Sequence, residues 1–379
     1  NAPRGFPISV HELPVLFIQA PPRQGSSSHL QTTITFSPSN HNYFTRYQPG
    51  GCYTEGGVSI HRSRGSEGPH ATRRRLQAWF ALSRPPFHTV GVFPFILGTI
   101  IAWALHGVFH PGLFALGTLA VVSVMLATYY AGEYWDTHED SLSVQSGKSR
   151  FAGGSQVLQQ GLLPHHVVIR ASVAACLLAA GLASLLQFVF LTGPLTVPFV
   201  MLGLLGGFFY SARPLRWVSR GFGEIWILFC YGWLPVAVGY YLQVGGVAPI
   251  INWTSIPIGI TIFNVILINE FPDYPADHVA GKANLVVRMG RSRAAYIYAL
   301  ASAAGPFAVL FSLYRGVPVE VLYFYSPILL LSLVLAALAL VGYWQEGRHL
   351  ERLCAATLVV NLGTTLSYIL AFAMVGSYG

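Results

Sequence analysis

The chain has 379 residues, of which 53% are hydrophobic and only 9% charged, and its mean hydropathy is +0.52. A soluble domain carries about 25% charged residues. This chain has too little polar surface for a water-exposed fold and reads as a polytopic membrane protein, not a soluble enzyme. Its net charge of +8 fits basic loops beside membrane helices and argues against a nucleic-acid partner. The four cysteines, Cys52, Cys176, Cys230 and Cys354, are scattered without disulfide or zinc spacing. Three of them fall in apolar runs and are expected to pack as small hydrophobes.

Residues 1–85 are rich in Ser, Pro, Gly, His and Arg, carry only the acids Glu12, Glu55 and Glu67, and contain no apolar run of spanning length. This composition predicts a mostly disordered segment. An Arg-rich, Ser-rich, acid-poor start also suits an organelle transit segment, with a plain N-terminal extension as the alternative. The chain thus divides into an extension over 1–78 and a membrane domain over 79–379. Arg73, Arg74 and Arg75, followed by the apolar stretch 76–82, predict a short interfacial helix.

Nine spanning helices are then expected, at 87–106, 112–135, 166–191, 193–211, 222–243, 250–272, 293–314, 322–344 and 352–376. Each is long enough to cross about 30 Å of hydrocarbon. Pro and Gly mark several of the turns between them, as at Pro111-Gly112, Gly193-Pro194 and Gly245-Gly246. With this count, the loops after the second, fourth, sixth and eighth helices share one side with the N-terminus. They hold Lys148 and Arg150, then Arg213, Arg216 and Arg220, then Lys282, Arg288, Arg291 and Arg293, then Arg348 and Arg352. The opposite loops hold only Arg315. The positive-inside rule places the basic side in the cytoplasm, or its organelle equivalent. The predicted fold is all-α, nine transmembrane helices around a central cavity that opens at the cytoplasmic face.

The acids locate a site. All four aspartates lie in two copies of one pattern, E-x2-D-x3-D: Glu133, Asp136 and Asp140 in GEYWDTHED, and Glu270, Asp273 and Asp277 in NEFPDYPAD. On a helix these offsets fall within an arc of about 60°. The first copy closes the second helix and the second closes the sixth, so both are expected at the same mouth. Pro272 and Pro275 are expected to end or kink the sixth helix inside its motif. Six carboxylates at one mouth repel each other and resist desolvation unless cations join them. Hard oxygen ligands suit Mg²⁺, which is commonly held by carboxylates together with substrate phosphates. Basic residues beside them (Lys148, Arg150, Arg213, Lys282 and Arg288) suit a phosphate-bearing substrate. Acids, metal and bases together point to a diphosphate. Glu139 lies off the common face, and Glu224 is read as a cap on the fifth helix, with a place lining the site as the alternative. His138 and His278 are read as solvated loop residues.

These motifs resemble the UbiA superfamily of intramembrane prenyltransferases over roughly residues 79–377. The resemblance rests on Ser83-Arg84-Pro85, on GEYWDTHED, on YSARPLRWVSRGFGE after the fourth helix, and on NEFPDYPADHVAGKANLVVRMG. NEFPDYPAD and FAGGSQVLQQGLLP are most similar to the branch that prenylates 1,4-dihydroxy-2-naphthoate in menaquinone synthesis. Gly132-Glu133 departs from the family's leading Asn-Asp, and Pro214 stands where a Lys often follows the loop tyrosine. The resemblance implies Mg²⁺-dependent transfer of a prenyl group from an allylic diphosphate to a small aromatic acceptor, within the lipid bilayer. It implies Asp136, Asp140, Asp273 and Asp277 as catalytic metal ligands, assisted by Glu133 and Glu270. Lys148, Arg150, Tyr210, Arg213 and Lys282 are implied for the diphosphate, and Arg84 and Asn269 for acceptor or diphosphate. Another aromatic or chlorin acceptor, or cyclisation of the prenyl chain, stands as the alternative within this scaffold. A membrane transporter is the alternative from another class.

Overall fold

The computed structural model describes residues 69–146 and 153–376, and these form helices and turns with no strand among them. Eight stretches are long and apolar enough to cross a membrane: Thr72–His106, Pro111–Trp135, His165–Val189, Gly223–Val244, Pro249–Val279, Arg291–Tyr314, Val321–Leu340 and Gly347–Gly376. The stretch expected at 193–211 forms a shorter apolar helix of 16 residues, Thr196–Ser211. At 1.5 Å per residue it reaches about 24 Å, somewhat less than the hydrocarbon thickness. The chain is a polytopic all-α membrane protein.

In chain order the helices are α1 (Pro69–Ser83), α2 (Thr89–His106), α3 (Pro111–Trp135), α4 (Thr137–Ser146), α5 (His165–Ser184), α6 (Thr196–Ser211), α7 (Gly223–Ile227), α8 (Leu234–Val244), α9 (Pro249–Ala280), α10 (Leu285–Met289), α11 (Arg291–Tyr314), α12 (Val321–Leu340) and α13 (Gly347–Gly376). Two π-helical turns, Leu185–Val189 and Leu228–Trp233, follow α5 and join α7 to α8. The second lies just before Pro235, whose ring and missing N–H disturb the ladder there. The interior has two large apolar clusters. Phe271, Val286, Tyr298 and Leu353 anchor one, between α9, α10, α11 and α13. Leu97, Val236, Ile258 and Tyr368 anchor the other, between α2, α8, α9 and α13.

Two expectations near the motifs need correction. The first motif does not lie on one continuous helix. α3 stops at Trp135, Asp136 leaves helical geometry at φ −96° and ψ 10°, and α4 restarts at Thr137. Thr137 Oγ1 donates back to the Glu133 carbonyl at 2.8 Å, which covers one of the acceptors at the end of α3. The sixth expected helix, in contrast, does not end at its prolines. α9 runs 32 residues through Pro257, Pro272 and Pro275. Pro272 deprives the Ile268 carbonyl of its usual N–H partner, and the Cys354 thiol of α13 donates to that oxygen at 3.6 Å. A weak thiol bond and tight packing of Phe271 thus carry the helix past the proline. α9 ends only at Gly281, in the left-handed region at φ 70°.

Candidate active site

The ends of α3, α6 and α9, the start of α7, and α4 meet at one end of the helix bundle. Cross-element bonds show the convergence: Ser143 of α4 donates to Asp273 of α9, Ser211 of α6 to Asp136, and the Leu285 N–H of α10 to Glu224 of α7. Both acidic motifs therefore face one site.

In the first motif, Glu133 is buried and doubly bound. The Ser155 N–H donates to its Oε2 at 2.9 Å and the Ser155 hydroxyl to its Oε1 at 2.6 Å. Arg84 Nη2 stands 3.8 Å from the same carboxylate, so the arginine expected to meet substrate is tied to the first motif. Asp136 Oδ2 accepts from Ser211 Oγ at 2.5 Å. Its Oδ1 is buried with no hydrogen bond, although Arg216 Nη2 lies 3.5 Å away as an ion-pair partner. Burial, with Asp136 and Glu133 close by, pushes the Asp140 carboxyl up to about 8.

In the second motif the unbroken α9 keeps Glu270, Asp273 and Asp277 on one face, as the spacing requires. Asp273 Oδ1 accepts from Ser143 Oγ at 2.8 Å and from the Gly153 N–H at 3.0 Å. Asp277 Oδ2 accepts from Asn284 Nδ2 at 2.8 Å, and Lys282 Nζ sits 3.6 Å from its Oδ1. Both oxygens of Glu270 are buried without a donor. The Glu224 carboxyl faces Glu270. Tyr210, at the end of α6, lies beside Glu270, Glu224, Asp136 and Asp277. Asn269 Oδ1 is buried and unpartnered.

Lys282 takes a central place. Burial alone would lower its ammonium pKa, but Asp136, Asp277, Asp273 and Asp140 outweigh burial and hold it above the ordinary lysine value. One monocation thus stands among all four aspartates. Among the described residues no three Asp, Glu, His or Cys side chains converge tightly enough to ligate one ion as they stand. The donor set nevertheless fits a hard divalent cation. It is all carboxylate oxygen, and it includes the orphaned Asp136 Oδ1 and both Glu270 oxygens.

Several expected residues stand elsewhere. Lys148 and Arg150 lie outside the described residues. Arg213 and Arg288 are exposed, and Arg288 Nε donates to the Ala283 carbonyl at 2.8 Å. It is Arg216 that reaches the first motif, hydrogen-bonding Glu139 and pairing with Asp136. Burial favours the acid form of Glu139, yet the Arg216 bond prevails and holds its pKa below the ordinary glutamate value. Glu139, set aside for lying off the motif face, is therefore the anchor of the basic loop. Glu224 is not a cap of its own helix, because its Oε1 binds the Leu285 N–H across 61 residues at 2.7 Å. His138 and His278, expected in loops, lie on α4 and on the last turn of α9, and both are exposed. The Ser155 and Gly153 donors were not anticipated, although both stand within the FAGGSQVLQQGLLP stretch.

An apolar cavity of about 790 Å³, counted with its open mouth, lies between α2, α3, α6 and the α7–α8 segment. Gly117, Val121, Thr128, Gly203, Trp226 and Leu242 are among its walls. From Thr128, two turns before the first motif, to Gly117 it follows α3 for about 16 Å. Both π-helical turns contribute to the wall, through Leu186 and through Cys230 and Tyr231.

Comparison with known proteins agrees with this arrangement. The UbiA prenyltransferase family matches residues 91–376. The 1,4-dihydroxy-2-naphthoate octaprenyltransferase of Escherichia coli is 28% identical over 228 residues, 58% of this chain and 71% of that protein. The enzyme of the same name from Bacillus subtilis is 24% identical over 305 residues, 80% of this chain and 93% of that one. Among solved structures, a UbiA homologue from Archaeoglobus fulgidus bound to GPP and Mg²⁺ superposes with a TM-score of 0.54 at 15% identity, covering 78% of this chain and 99% of that one. An apo UbiA homologue from Aeropyrum pernix gives a TM-score of 0.56 at 15% identity, covering 75% and 97%. With three quarters of its length matched and two acidic motifs facing one site, the chain belongs to the UbiA prenyltransferase family and is a membrane-embedded prenyl transferase.

Proposed function

We propose that the protein transfers a prenyl group from an allylic polyprenyl diphosphate to a small aromatic acceptor of the dihydroxynaphthoate class, in quinone biosynthesis, with Mg²⁺ as the metal. The observation that carries this reading is the convergence of the two acidic motifs, tied by the Ser143 bond to Asp273, around the Lys282 ammonium. Such a site is short of positive charge and accepts a cation together with a diphosphate. The naphthoate-prenylating relatives support the acceptor class.

Asp136, Asp140, Asp273 and Asp277 would hold the metal, with Glu133 and Glu270 beside them. Bound there, the metal would draw charge from the departing diphosphate. Lys282, Arg216 and the Tyr210 hydroxyl supply positive charge and a donor for phosphate oxygens, and Lys148, Arg150 and Arg213 remain the sequence's further candidates for the diphosphate. Arg84 and Asn269 would meet the acceptor or the diphosphate. The apolar cavity takes the prenyl chain and keeps water from the allylic carbon as its C–O bond breaks. The acceptor carbon then bonds to that allylic carbon and loses a proton, or carbon dioxide where it carries a carboxyl.

Residues 79–379 are the catalytic membrane domain, and 1–78 an extension outside it. The motif end of the bundle faces the cytoplasm or its organelle equivalent. Arg84, Arg213, Arg216, Lys282 and Arg288 stand at that end, whereas Arg315 stacks over Trp253 at the other, 4.2 Å from the ring centre.

The test is product mass spectrometry on purified full chain with Mg²⁺, prenyl diphosphates of several lengths and a panel of aromatic acceptors. The expected product is a prenylated dihydroxynaphthoate derivative. Full turnover in EDTA, or prenylation of every other acceptor class but not this one, overturns the reading.

A further inference from the structure

Glu224 is buried, at 1% exposure, in the first turn of α7. Its Oε1 accepts the Leu285 N–H at 2.7 Å. Leu285 directly follows Asn284, whose side chain works in two directions. Asn284 Oδ1 caps α10 by accepting from the Val287 N–H at 2.8 Å, and its Nδ2 donates to Asp277 Oδ2 at 2.8 Å. The turn between them is tied by the Lys282 N–H to the Asp277 carbonyl at 2.9 Å. A short chain of bonds therefore runs from α7 through one backbone amide to a motif carboxylate. The other Glu224 oxygen, Oε2, is buried without a donor and belongs to the side chain that faces Glu270.

Asn284 caps α10, a short helix of five residues, and the Glu224 contact is the bond that ties the start of that helix to α7. The amide that Glu224 binds is the first of that helix, where an N–H has no intrahelical partner. Without Glu224 this half-buried amide loses its acceptor, and the Asn284 side chain loses one of the bonds that fix its origin.

We propose that Glu224 is a positioning residue for the second motif: it pins the Leu285 amide so that Asn284 holds Asp277 in the orientation that meets a divalent cation. The proposal rests on the metal-binding reading of the two motifs. Side chains that orient metal ligands typically change metal affinity by about 10–100-fold when removed.

The experiment measures Mn²⁺ binding by EPR to the purified full chain with inorganic pyrophosphate and no prenyl substrate, beside a thermal melt. Glu224→Ala should weaken Mn²⁺ binding by about tenfold or more. Glu224→Gln, which keeps an oxygen acceptor for the Leu285 N–H, should recover most of that loss. Wild-type affinity in Glu224→Ala overturns the proposal. So does a Glu224→Gln variant as weak as Glu224→Ala, because the carboxylate charge and not the amide contact would then be the cause. Asp277→Asn serves as reference. If it binds Mn²⁺ as the wild type does, the metal reading itself has failed. If it is weakened while Glu224→Ala is not, only the positioning role falls. An equal fall in melting temperature for both Glu224 variants, with recovery of binding in Gln alone, separates positioning from general stability.

Discussion

Gly154→Ala should disable the site while the fold survives. Gly154 lies at φ +66°, in the left-handed region, one residue before Ser155, which binds Glu133. A Cβ there would press on Asp140 Oδ2, sit 2.9 Å from Asp140 Cγ and 3.1 Å from Glu133 Oε2. The backbone strain of an alanine in this region is about 1–2 kcal/mol. The larger effect is on placement. Asp140 must retreat on the order of 1 Å, a displacement that can lower turnover about 100-fold. Gly161→Ala is the internal control. It lies at φ +65° with nothing within 4 Å of its Cβ, so it bears the same backbone strain without moving a carboxylate.

Both variants, in lipid nanodiscs, would be assayed for prenylated product and melted by tryptophan fluorescence. The two should melt within a few degrees of each other, and only Gly154→Ala should lose turnover by about two orders of magnitude. Equal activity in the two refutes the argument that Asp140 is held by contact with Gly154. Equal activity loss in both would place the cause in backbone strain alone.

Asp136→Ala and Asp273→Ala, one from each motif, should each abolish Mg²⁺-dependent product while the protein still inserts and melts cooperatively; full turnover in either refutes the shared site. Asp140 titrates near about 8 in the folded chain against an ordinary 3.8. The folded state then holds a proton that the unfolded chain releases. Metal-free protein should lose stability as pH rises from about 5 to about 8, and Asp140→Asn should flatten that slope. A melting temperature that climbs over this range contradicts it. Gly203→Leu fills the cavity where a Cβ meets only Val124 at 3.4 Å and Leu234 at 3.6 Å. It should cut turnover of long prenyl diphosphates by about tenfold or more and spare short ones, as competition between chain lengths would show. Arg216→Ala should destabilise by about 1–3 kcal/mol, because buried Glu139 loses its counter-charge. Arg216→Ala with Glu139→Ala should recover part of that loss in a double-mutant cycle, and strict additivity would refute the coupling.

What could be read from sequence was whatever lies along one element. The apolar runs located the long helices, though α9 runs eight residues past its expected end, and the repeated acidic pattern marked both halves of the site. The i, i+3, i+7 argument applies to Glu270, Asp273 and Asp277 because α9 stays helical. It stayed helical against local expectation, since the Ile268 carbonyl freed by Pro272 found a thiol on α13, 86 residues away. The same argument was too strong for Glu133, Asp136 and Asp140, where the helix breaks at Asp136. Nothing in GEYWDTHED is a strong breaker. The break accompanies side-chain and backbone bonds from Thr137 and Ser211, and propensity does not report such bonds.

What could not be read is how the carboxylates are held. Ser143 reaches Asp273 across 130 residues, Arg216 reaches Glu139 across 77, and Leu285 reaches Glu224 across 61. Arg213 and Arg216 both follow Tyr210 closely in sequence, and only the fold separates an exposed arginine from one whose guanidinium enters the site. Glu224 shows the same limit in reverse. At a helix start a glutamate ordinarily serves its own dipole, and local grounds favoured that reading over a place in the site. Buried beside Glu270, its value to the protein comes from the Leu285 amide it holds, which belongs to a different loop. Acidic motifs name the ligands, but the order of the site comes from donors elsewhere in the chain. Variants of Ser143, Ser155, Ser211, Arg216 and Glu224 are therefore the ones that would distinguish a placed carboxylate from a merely present one.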